Sequence, residues 1–189
     1  LVYSYGNNTM TSVIPVYGRA GDVLVVDERC NYPIQLGCRL AKARVVRYAH
    51  LDAADAAQKV AEEKKKLQFP AKVVVVTEGL FECDMRAAPL AELSRLRDTN
   101  VMLIVDDSVG VGAVGPTLRG SVERAGLAIE EVDVLCGSLE TVFSSVGGFC
   151  VGRFSVIDRQ RLFGLGYCFS ASSPPFSCRA ATFGLDCVM

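Results

Sequence analysis

The run VMLIVDD at residues 101–107 limits this chain's folds more than any other stretch. An uninterrupted apolar segment of strand length suits a parallel sheet covered on both faces better than a half-wet hairpin. Asp106 and Asp107 then stand where that strand leaves the sheet, the end at which open α/β sheets bind ligands. The same kind of run recurs in DVLVVD, ARVVRYAH, KVVVV, VDVLCGS and FCVG. Between these runs lie segments with apolar residues at helical spacing, PIQLGCRLA, AADAAQKVAEEKKK and PLAELSRLR. Strands alternating with helices imply right-handed crossovers and a largely parallel sheet, so the expected class is α/β.

Local signals place the element ends. Gly6 breaks the opening strand, and Asn8 or Thr9 is expected to cap the helix carrying Val13, Ile14, Val16 and Tyr17. A turn of this kind ahead of a helix presents unpaired N–H groups, which makes it a ready anion site. Pro33 suits a first helical turn and Asp52 an N-cap. EEKKK at 62–66 reads as a solvated face. The loop GVGAVGPTLRG has four glycines. It does not open a helix after the first strand of a domain, so its glycines are expected to serve close backbone packing and positive φ, not a dinucleotide. FSVIDRQRLFGLGY is expected to form one helix, CFSASSPPF a stiff loop, and FSCRAATFGLDCVM the start of a long helix.

With 189 residues, half of them apolar, the chain can build one sizeable domain. A net charge of −1 with mixed signs gives no electrostatic footprint for nucleic acid. No apolar run is long enough to span a bilayer. The first residue is Leu1, so a fragment of a longer protein is expected, with any membrane attachment outside it. Eight cysteines lack both CxxC pairing and nearby histidines, which favours free thiols in an intracellular protein over a metal or disulfide framework. His50 is the sole histidine, read as a polar residue at a strand end; a reaction needing an imidazole base must take one from another chain.

A family resemblance rests on three stretches in the same order along the chain. VVVTEGLFECDMRAAPLAEL, VDDSVGVGAVGPTLRG and GSLETVFSSVGGFCVG resemble segments of the α-oxoamine synthases, pyridoxal-phosphate enzymes that condense an amino acid with an acyl-CoA. The last stretch is similar to that family's GTLGK, whose Lys forms the Schiff base. The resemblance implies the fold-type I large domain over residues 1–189: a three-layer α/β architecture around a seven-stranded, mostly parallel sheet, with the FCVG strand antiparallel. The amino-terminal arm and small domain of that fold are expected to be absent.

Position by position, the resemblance gives Asp106 the role of the pyridine-nitrogen carboxylate and Ser138 that of a phosphate ligand. Thr141 stands in the Schiff-base Lys position, and a hydroxyl cannot form an imine. Val109 and Asn31 stand where the family has histidines, and Glu78 lies by the substrate pocket. The turn SYGNN departs from the family's phosphate-cradling glycine turn at Tyr5 and Gly6. The segment GRFSVIDRQRLFGLGYCFSASSPP resembles the non-catalytic long-chain-base subunits of serine palmitoyltransferase.

This resemblance implies a chain with no catalytic residue of its own. It would support a Lys-bearing catalytic long-chain-base subunit in a heterodimer that condenses serine with palmitoyl-CoA to 3-ketodihydrosphingosine. Pyridoxal phosphate would be held by that partner and bound weakly or not at all here. The full-length protein would sit at the endoplasmic reticulum membrane, facing the cytosol. The loop bearing Ser170 and Ser172 would reach the partner. Two other readings stay open: an independently active pyridoxal-phosphate acyltransferase, and an interaction scaffold without ligands. No metal site is expected.

Overall fold

The computed structural model describes residues 1–68 and 70–188. Strands β1 (Val2–Tyr3), β2 (Val23–Asp27), β3 (Arg44–Tyr48), β4 (Val73–Glu78), β5 (Val101–Asp106), β6 (Val134–Ser138) and β7 (Gly148–Gly152) form one sheet. Their spatial order is β1-β7-β6-β5-β4-β2-β3. Pairings from β3 through to β6 are parallel, and β7 runs antiparallel to both β6 and β1. The mostly parallel, seven-stranded expectation and the antiparallel FCVG strand are both borne out.

β-Branched side chains fill the centre. Val73, Val74, Val75 and Val76 are all 0% exposed, which a strand achieves only when both faces are covered. Full burial of such a side chain contributes about 1.5 kcal/mol or more.

The chain steps outward from β2 to β3, then back across β2 to β4, β5 and β6. Right-handed crossovers therefore put α2 (Tyr32–Leu40) on one face, and α3 (Ala53–Lys64), α4 (Leu90–Ser94) and α5 (Ser121–Arg124) on the other. α1 (Gly6–Tyr17) shares the face of α2 and packs on it and on α6 (Phe154–Phe163) and α7 (Leu165–Cys168). α8 (Pro175–Val188) follows the segment 169–174, exposed except at half-buried Ser173.

Asn31 and Asp52 cap α2 and α3 through their side chains, and Pro33 lies in the first turn of α2. Four local expectations need correction. Asn8 and Thr9 lie inside α1, whose N-cap is Tyr5 without a side-chain bond; the Glu140 carboxylate takes the Gly6 N–H instead, at 3.0 Å. The helix expected after Gly152 divides at Gly164, where a β-carbon would stand 2.6 Å from the Gln160 carbonyl and 2.7 Å from Ser12 Oγ. The stiff loop ends at Pro174, because Pro175 opens α8. Within EEKKK, Glu63 is buried rather than solvated, and ion pairs with Arg44 and Lys66 hold its carboxyl below the usual range.

At the β3 edge of the sheet the side chains of Arg44 and Arg47 are exposed.

Candidate functional site

Register brings the candidate residues together. Glu78 pairs with Asp106 and Asp106 with Cys136, so these side chains share one face, and Ser138, two residues beyond Cys136, shares it too. All four lie at the carboxyl end of the sheet, on the side of α1 and α2.

Asp106 is 2% exposed. Its Oδ2 accepts from Asn31 Nδ2 at 2.9 Å, and its Oδ1 accepts from the backbone N–H and hydroxyl of Ser108 at 3.1 and 2.5 Å. Burial pushes its carboxyl above the usual range even so. Glu78, 1% exposed, accepts from the backbone N–H groups of Asn31 at 2.8 Å and Glu82 at 3.0 Å. Burial, with the Asp106 charge nearby, raises it to about 7.

Asp107 turns to the opposite face and serves the fold. It accepts from Ser121 N at 2.7 Å and Ser121 Oγ at 2.6 Å, anchoring the start of α5. A β-carbon on Gly110 would overlap its Oδ1. The glycines of this loop thus do what the sequence implies: Gly112, Gly115 and Gly120 have positive φ, and Gly110 permits a close approach.

Thr141 Oγ1 donates to the Ser108 carbonyl at 2.6 Å, tying the Lys position to the loop after Asp106. Val109 lies half-buried in that loop. Ser138 Oγ accepts from Glu140 N at 2.9 Å. The carboxylate of Glu140 then reaches the amino end of α1: its Oε1 accepts from Gly6 N at 3.0 Å and from Gly147 N at 3.3 Å.

His50 stands on the other face of the sheet, as expected of a residue outside this site. Its Nδ1 meets Asp27 Oδ1 at 2.8 Å and its Nε2 meets Asp84 Oδ2 at 3.1 Å, while its ring packs edge-on against Phe81. Ser170 Oγ bonds Ser4 Oγ at 3.0 Å, and Ser172 lies in the same exposed segment, away from Asp106.

Sequence reasoning passed over Glu140 and saw Asn31 only as an absent imidazole. For Glu140 the signal was present: in GSLET the residue before Thr141 is an acid where GTLGK has a glycine.

A family profile, Aminotransferase class I and II, matches residues 1–185. Serine palmitoyltransferase 1 of Dictyostelium discoideum is 37% identical over 98% of this chain and 40% of its own length. Long chain base biosynthesis protein 1b of Oryza sativa subsp. japonica is 35% identical over 98% of this chain and 39% of its own. Among solved structures, serine palmitoyltransferase of Sphingomonas wittichii superposes with a TM-score of 0.91 at 29% identity, covering 100% of this chain and 46% of that one. The enzyme from S. paucimobilis with bound PLP–myriocin aldimine gives 0.91 at 27% identity, over 100% and 46%. The chain thus spans about two fifths of the curated relatives it matches.

Pyridoxal phosphate needs an amine to join its aldehyde, a seat for its phosphate and a carboxylate for its ring nitrogen. Here Thr141 supplies no amine, Glu140 already lies on the N–H groups at the amino end of α1, and Asn31 and Ser108 engage both oxygens of Asp106. The residues present do not fit the group as a covalently held cofactor.

Proposed function

This chain belongs to the aminotransferase class I and II family, and we propose that it is the non-catalytic long-chain-base subunit of serine palmitoyltransferase. In this reading a Lys-bearing catalytic subunit holds pyridoxal phosphate and condenses serine with palmitoyl-CoA to 3-ketodihydrosphingosine. This chain supplies the matching half of a heterodimer at the cytosolic face of the endoplasmic reticulum. Among the described residues no helix is long and apolar enough to cross a membrane. In this reading membrane attachment belongs to the full-length protein or its partner.

The observation that carries the reading is Thr141 at the Lys position, its hydroxyl turned to the Ser108 carbonyl. Replacement lysines are badly placed. Lys42 and Lys72 precede β3 and β4 at the amino ends of strands, and Lys59, Lys64, Lys65 and Lys66 lie on or just after α3. An independently active enzyme is disfavoured on this geometry.

The partner-facing surface in this proposal is the segment 169–173 with the start of α8. Phe169 and Phe176 are 84% and 76% exposed, and exposed aromatics on a stiff segment suit anchoring. The bonds Ser170 to Ser4 and Ser173 Oγ to the Tyr3 carbonyl hold the segment against β1.

Reconstitution tests the proposal. The full-length chain mixed with a Lys-bearing subunit should form 3-ketodihydrosphingosine from serine and palmitoyl-CoA, while the chain alone forms none. Borohydride reduction of the chain alone with pyridoxal phosphate should leave its pocket unmodified by mass; turnover or a pocket adduct without the partner would overturn the assignment.

A further inference from the structure

Three segments far apart in sequence meet at the amino end of α1. Gly6 contributes the first N–H of a twelve-residue helix, Gly147 a second N–H from the turn before β7, and Ser138 a hydroxyl at the end of β6. A helix of that length presents a partial positive charge and unpaired donors there, which favours an anion. The anion present is the chain's own. Glu140 Oε1 accepts from both N–H groups, at 3.0 and 3.3 Å. Its Oε2 and Ser138 Oγ lie 3.0 and 3.1 Å from the point where a β-carbon on Gly6 would stand, so any side chain at residue 6 would crowd the carboxylate. The Glu140 N–H to Ser138 Oγ bond of 2.9 Å fixes the turn that aims it.

We propose that Glu140 is a built-in substitute for a phosphate group, a tethered carboxylate that fills the anion seat of this pocket and keeps phosphate-bearing ligands out. The tether gives the carboxylate an effective concentration in the millimolar range, which a free dianion must overcome. The dianion must also approach a like charge. This deepens the non-catalytic reading and rests on it for its biological sense. Its test reads anion binding by this chain alone, so failure here and failure of reconstitution are separate outcomes.

Glu140 is exposed, and its replacement is expected to cost what a lost helix cap costs, about 1 kcal/mol, which leaves the fold standing. The experiment compares the full-length polypeptide, purified without its partner, as wild type, Glu140→Gly and Glu140→Gln. Thermal midpoints are followed against inorganic phosphate, with sodium chloride at matched ionic strength as control, since a ligand bound only by the folded state raises the midpoint. Glu140→Gly is expected to respond saturably at a phosphate concentration at least tenfold below any wild-type response. Glu140→Gln, whose amide oxygen keeps the two N–H bonds without the charge, should fall between them. Should Glu140→Gly not melt cooperatively, Glu140→Gln carries the comparison. A wild type as responsive as the variants, or variants as silent as the wild type, would overturn the proposal.

Discussion

Asn31 Nδ2 donates to Asp106 Oδ2 at 2.9 Å, binding the start of α2 to the end of β5. The same residue caps α2 by accepting from Ile34 N at 3.1 Å, and its own N–H goes to Glu78 Oε1 at 2.8 Å. The amide side chain thus neutralises none of the local negative charge yet satisfies two groups, the Asp106 carboxylate and the Ile34 N–H, while the backbone N–H of the same residue serves a third, the Glu78 carboxyl.

Asn31→Ala should therefore destabilise the protein by about 2–4 kcal/mol, combining a lost N-cap of about 1 kcal/mol with an unsatisfied buried acceptor. Urea denaturation at pH 7 measures it. Asn31→Asp should retain the cap but set a second carboxylate against Asp106, and its deficit should grow as pH rises from 5 to 8. A deficit independent of pH would remove Asn31 from the Asp106 pairing.

Glu78 titrates at about 7 in the folded chain because burial disfavours its charge. A raised pKa means the folded state holds the proton more tightly, so this stability is present at low pH and is lost as pH climbs from the ordinary carboxyl range through about 7. The contribution is on the order of 3 kcal/mol, at 1.36 kcal/mol per unit. Glu78→Gln should flatten the decline of stability between pH 5 and pH 8. Parallel curves for the two proteins would place the titration elsewhere.

Asp107 is the fold's carboxylate, since both its oxygens take bonds from Ser121. Asp107→Asn loses one acceptor and faces an amide N–H₂ toward a donor, at an expected cost of about 1–3 kcal/mol. Gly110→Ala should cost at least as much, because its β-carbon would enter the space of Asp107 Oδ1. The double variant Gly110→Ala/Asp107→Gly should recover part of the deficit in a denaturation cycle, and additive losses would contradict the packing account.

Ser172→Phe in the full-length chain should reduce both partner association and reconstituted turnover, with little change in the melting of the isolated chain. The segment it alters is exposed and outside the hydrophobic core. Association by size exclusion and turnover by product formation are the readouts; both unchanged would reduce the segment to a connection.

The sheet was legible because its strands are unbroken apolar runs, and VVVV or MLIV permits little else. The ends were less so. The cap of α1 comes from Glu140, across 134 residues of sequence separation, and no local pattern at Asn8 or Thr9 can announce it. Gly164 breaks the helix after Arg153 because α1 packs close to it, a tertiary cause invisible in FSVIDRQRLFGLGY. In the pocket, the residue types at Thr141 and Asp106 were read from resemblance. What occupies the space around them follows from side chains that meet only after folding.

The β3 edge of the sheet bears on how this protein joins anything else. An uncovered strand invites another chain to extend the sheet, and folds suppress this with charge. Here β3 carries the exposed side chains of Arg44 and Arg47. A strand added at this border would have to settle against those guanidinium groups, so the sheet is guarded there against growth into fibrils.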